Sequence, residues 1–76
     1  MDKLINEILK ELKSAEIKYP QWPNDIIHQA AIVNEESGEL IRAALNHYYH
    51  KNQIEQLRRE AIQTAAMAIR FLKNLN

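Results

Sequence analysis

Cysteine is missing from the chain, so neither a disulfide framework nor a thiolate metal site can supplement its core. That absence fits a reducing, cytoplasmic setting. Glycine occurs once and proline twice, too little turn chemistry for a β-sheet protein, and long helices become the default. Neither sign of charge is in excess. Ten basic residues balance ten acidic ones, so nothing recruits a nucleic-acid backbone by counterion release. A small nucleotide stays admissible, because it needs only a local site and brings its own cation. Uninterrupted apolar runs last only a few residues, which argues against any membrane span. The opening Met1-Asp2-Lys3 leads into an amphipathic helix and not into a secretory leader. Seventy-six residues make one domain, and a chain of that size hides only about 60% of the surface its unfolded form exposes.

What the chain does contain is helical periodicity. Leu4, Ile5, Ile8, Leu9 and Leu12 recur at spacings of three and four from about Asp2 to Ile17 or Lys18, with Lys3, Glu7, Lys10, Glu11, Lys13 and Ser14 on the other side. Asp2 is the expected N-cap. Pro20 ends this helix, since proline lacks a donor and forces its predecessor out of the helical region. After Tyr19–Asn24, with Asn24 as the expected N-cap, a second helix runs to about Tyr49. Gly38 lies inside it, either as a close-packing point or as a tolerated small residue. Asn52 and Glu55 have capping-box spacing and predict the start of a third helix. The link between the two long helices is short, so they form an antiparallel hairpin. From Ala61 to Leu72 only Gln63, Thr64 and Arg70 interrupt apolar residues. A helix with no fully polar face is enclosed on several sides. The expected architecture is therefore all-α: a short N-terminal helix and a long hairpin, with a four-helix core completed by a homodimer or a dimer of dimers.

Acidic residues interrupt these apolar helices at informative places. Glu35, Glu36 and Glu39 fall between AAIV and LIRAAL, and Glu60 opens the most apolar stretch. At helical rotation Glu36 and Glu39 lie about 60° apart. Glu60 shares its face with Gln63, Met67 and Arg70. A short hairpin lets the two faces meet, so that three carboxylates and a carboxamide converge in one layer. Two carboxylates about 5 Å apart repel by roughly 3 kcal/mol at an effective dielectric near 20. Protonation, basic partners or divalent cations relieve such repulsion. Oxygen donors of this kind suit Mg²⁺ or Mn²⁺. The alternative is an ordinary solvated acidic face, with Glu60 paired to Arg58 or Arg59.

These residues carry a resemblance to the MazG-like all-α nucleoside triphosphate pyrophosphohydrolases, especially their short phage-type members. The family pattern is EExxE on one helix and ExxD on the next. Glu35-Glu36-Ser37-Gly38-Glu39 completes the first half, and Glu60-Ala61-Ile62-Gln63 stands for the second after twenty intervening residues. The resemblance spans about Trp22 to Leu75. It implies Mg²⁺-dependent cleavage between the α- and β-phosphates, with Glu36, Glu39 and Glu60 as principal metal ligands and Glu35 as a further acid that binds metal-water or orients the nucleophile. Gln63 departs from the pattern, because it occupies the aspartate position and offers an amide oxygen without charge.

Four other residues are candidates for substrate contact. Arg70 reads either as a phosphate contact or as a salt-bridge residue. Trp22 follows the helix break and either covers a nucleoside pocket or plugs the end of the first helix. His28 points loosely toward the acidic side, and Gln63 serves ligand and metal alike. The leading expectation is hydrolysis of a nucleoside triphosphate to monophosphate and pyrophosphate. The alternative is a catalytically weakened helical oligomer that binds nucleotides or another protein, for which Gln63 is the motivation. A DNA-binding helix-turn-helix does not fit, because neither long helix presents a row of Arg and Lys.

Overall fold

A computed structural model describes residues 1–75, and among them there are three helices and no strand: α1 (Asp2–Lys18), α2 (Ile26–His50) and α3 (Ile54–Lys73). None is long and apolar enough to cross a membrane. Cross-helix contacts fix the directions. Glu39 and Glu36 of α2 lie beside Glu60 of α3, and the Glu36 carbonyl meets the Thr64 hydroxyl, so residue numbers fall on one helix as they rise on the other. The hairpin is antiparallel. Helix α1 instead runs parallel to α3, with ion pairs from Glu7 to Arg58 and from Glu16 to Lys73 near its two ends. Both pairs are partly or largely exposed, so they align the helices more than they stabilise them.

The helix ends refine the sequence reading. Asp25, not Asn24, caps α2, its carboxylate accepting the His28 backbone N–H at 2.9 Å. Gln29 is buried and donates to the Pro23 carbonyl at 2.7 Å, which fixes the preceding segment and leaves Asp25 at the capping position. Helix α2 ends in Lys51, whose φ of 55° is left-handed, a geometry that favours glycine or asparagine. The Asn52–Glu55 capping box does not form. Gln53 occupies the cap of α3 without a side-chain bond, and Asn52, one residue too early to cap, accepts from the His47 ring through its carbonyl. Asp2 is the first residue of α1 and not its cap; Met1 holds that position.

The core is small. Leu12, Ala66 and Met67 are buried, with Ile8, Ala15, Trp22, Ile32, Val33 and Ile69 packed around them. A large apolar surface stays open. Ile27, Ala30, Asn34, Ser37, Ile41, Ala44 and Tyr48 follow one another at alternating steps of three and four, the spacing of a helix–helix seam. Within it Ile27 and Tyr48 are each 76% exposed. The chain exposes 6046 Å², about a quarter more than the roughly 4,800 Å² expected of a compact monomer of 8.9 kDa.

Candidate functional site

Glu36 and Glu39 occupy adjacent positions on the inner side of α2, one turn apart, and Glu60 faces them from α3. Each offers a carboxylate oxygen, and the three oxygens lie within 4.8 Å of one another. Glu36 and Glu60 are half-buried, while Glu39 is exposed. The layer is short of donors. Glu36 Oε2 and Glu60 Oε1 are both buried and neither has a hydrogen-bond partner. A buried acceptor without a donor is costly, and a buried carboxylate oxygen more so. Burial, and then the neighbouring charges of Glu39 and Glu60, push the Glu36 carboxyl above its ordinary value. Two orphaned carboxyl oxygens and a third carboxylate at ligand spacing are a donor set that could hold a hard divalent cation.

The hydroxyl of Thr64 braces this layer from α3. It lies 2.8 Å from the Glu60 carbonyl oxygen and 3.1 Å from that of Glu36.

Beside the carboxylates opens a cleft of about 590 Å³. Helix α3 forms its floor through Gln63, Met67 and Arg70, α2 contributes Ile32 and Glu36, and α1 closes the far wall with Glu11, Ser14 and Lys18. Trp22 and Tyr19 close one end. Arg70 is 5% exposed, donates to the Tyr19 carbonyl at 2.9 Å and holds its guanidinium 4.6 Å from the centre of the Trp22 ring. It makes no ion pair among the described residues. Its first task is thus to pin the Tyr19–Trp22 turn onto α3, with its charge facing the cleft.

The structure brings together Glu36, Glu39 and Glu60 in one cluster, and Glu36, Gln63, Arg70 and Trp22 around one cleft. Glu35 and His28 stand apart. Glu35 is exposed and outside the three-carboxylate group, though its charge adds to the shift of Glu36. His28 is exposed, with Nδ1 2.5 Å from Asp25 Oδ2, and does not line the cleft. Periodicity places Glu11 and Ser14 on the solvent side of α1 and Lys18 at its end. Glu11 is half-buried, and all three face the cleft. Thr64 was legible only as a polar interruption four residues after Glu60.

In comparison with known proteins, no family model matches the chain, and no characterised protein or solved structure shows a significant match to it.

Proposed function

We propose that this chain is a Mg²⁺-dependent nucleoside triphosphate pyrophosphohydrolase of the MazG-like kind, working as a homodimer. The observation that carries the reading is the pair of buried, unpartnered oxygens on Glu36 and Glu60 with Glu39 beside them. Mn²⁺ is an equivalent occupant by donor chemistry. Glu36, Glu39 and Glu60 are the anionic ligands, and Gln63, one turn beyond Glu60, adds a neutral amide oxygen. A divalent ion at this position supplies neutralisation of triphosphate oxygens and of the departing pyrophosphate.

The chain's own residues do the rest. Arg70 lies seven positions after Gln63, about 10 Å along α3, enough for a nucleoside between the carboxylates and the Trp22 end. The cleft volume falls within the roughly 300–1,000 Å³ usual for small-molecule sites. Substrate therefore lies with its phosphates toward Glu36 and Glu60 and its base toward Trp22. By the resemblance alone, Glu35 is the further acid that orients the attacking water, although it lies outside the three-carboxylate group and does not line the cleft. The water oxygen bonds to the α-phosphorus and gives up a proton to a nearby carboxylate or to solvent, and the bond from that phosphorus to the α–β bridging oxygen breaks with its electron pair leaving on pyrophosphate. Position and electrostatics carry most of the rate in such transfers, which suits a rigid helical layer.

The open seam on α2 supports the homodimer. Covering Ile27, Ile41, Leu45 and Tyr48 with the same face of a second copy builds a four-helix core and accounts for the excess exposed surface. The deciding experiment is incubation with ribo- and deoxyribonucleoside triphosphates and Mg²⁺, with products separated by chromatography. Monophosphate and pyrophosphate support the assignment; orthophosphate and a diphosphate contradict it. Gln63 in the aspartate position favours a second reading, a nucleotide-binding oligomer of weakened activity. Calorimetric binding without turnover under either metal identifies that case.

A further inference from the structure

Thr64 is the only hydroxyl residue of α3. Its Oγ1 sits 2.8 Å from the carbonyl oxygen of Glu60, on its own helix, and 3.1 Å from the carbonyl oxygen of Glu36, on the neighbouring one. The first contact is the ordinary back-bond that serine and threonine make to the residue four positions earlier. The second is not local. It is the one hydrogen bond that joins α2 directly to α3 among the described residues. A hydroxyl has a single proton, so the two carbonyls share it, and both belong to residues whose carboxylates converge.

We propose that Thr64 is a positioning residue of the carboxylate centre, its hydroxyl holding the Glu36 and Glu60 backbones at the separation from which their side chains share a cation. The inference rests on the reading of Glu36, Glu39 and Glu60 as metal ligands. It goes beyond it by naming what keeps the two ligand-bearing helices in register where like charges push them apart. Elsewhere α2 meets the core through apolar side chains such as Ile32 and Val33, packed against the Ala66–Met67 cluster, and these tolerate sliding more readily than a hydrogen bond does.

The test is titration of the full-length chain with Mn²⁺, followed by the loss of the free-ion paramagnetic resonance signal. Thr64→Val keeps the shape and removes the hydroxyl. Thr64→Ser keeps the hydroxyl. Thr64→Ala provides a second hydroxyl-free variant should Val perturb folding. Thr64→Val and Thr64→Ala should weaken Mn²⁺ binding by about three- to tenfold, the scale of one lost hydrogen bond, whereas Thr64→Ser stays near the parent. Thermal melts in chelator accompany each titration. A purely structural threonine changes the melting midpoint and leaves Mn²⁺ affinity alone, and that result overturns the proposal while the carboxylate centre stands. If the parent itself takes up no Mn²⁺, the centre fails and the role of Thr64 fails with it.

Discussion

Replacing Glu36 with glutamine should make the metal-free protein more stable and the metal-loaded protein less so. The substitution keeps the side chain's shape and removes one of three charges whose oxygens lie within 4.8 Å. At an effective dielectric near 20, each fully ionised pair at that separation opposes folding by about 3 kcal/mol. Two such pairs involve Glu36. Much of that repulsion is screened, because solvent reaches the exposed Glu39 and the half-buried Glu36. The net gain on removing the charge is therefore about 1–2 kcal/mol. The new amide also offers a donor to the orphaned Glu60 Oε1. For a domain of this size, each kcal/mol moves the melting midpoint by about 4–8 °C. Differential scanning calorimetry in chelator should thus place the midpoint of Glu36→Gln about 5–15 °C above the parent. In millimolar Mg²⁺ the parent should gain stability and the variant should gain little, so the two curves approach or cross. A variant that melts below the parent in chelator, or that gains as much from Mg²⁺, shows that the three carboxylates neither repel one another nor share a cation.

The same cluster sets a pH signature. Glu36 is raised in the folded state, so its contribution is fully present below its ordinary value of 4.5 and is lost as pH rises through the higher folded value. Chelated protein should therefore gain stability as pH falls from neutral toward 4.5, while Mn²⁺ affinity declines over the same interval; melts and titrations at matched pH check both. Asp25 and Glu7 act in the opposite sense, lowered by His28 and Arg58 respectively, and their contribution disappears as pH falls below the ordinary carboxylate range. Gln63→Asp should strengthen divalent-cation binding and destabilise the chelated fold, read by titration and by melting with and without Mg²⁺. Arg70→Met should cost about 2–3 kcal/mol in urea unfolding, because the Tyr19 carbonyl loses its charged donor and Trp22 loses its stacked cation. Trp22 fluorescence should shift in the folded variant.

The three helices were legible because apolar residues recur at helical spacing and Pro20 and Pro23 punctuate the chain only once. The caps were not, since capping-competent residues stand side by side at Asn24 and Asp25, and Asn52 sits one residue ahead of the true cap. Local bonds and backbone geometry beside the cap decide between such neighbours, here the Gln29 bond to Pro23 and the left-handed turn at Lys51. Convergence of Glu36, Glu39 and Glu60 was legible, because a short hairpin and helical spacing leave little freedom in which residues oppose one another. The α1 wall of the cleft was hidden. Glu11, Ser14 and Lys18 look like a solvated face, and a polar side chain lining a cleft has the same pattern as one facing bulk water. Arg70 was ambiguous for a related reason: burial, a backbone acceptor and an aromatic ring replace the expected carboxylate partner.

If Glu36, Glu39 and Glu60 hold a divalent cation as one centre, Mn²⁺ titration at neutral pH and without nucleotide separates the parent from the Glu36→Gln/Glu60→Gln double variant. The parent should bind Mn²⁺ saturably, in competition with Mg²⁺, and the double variant should lose that binding while melting no lower than the parent in chelator. Absence of Mn²⁺ binding to the parent, or undiminished binding to the folded double variant, rules out the three-carboxylate centre.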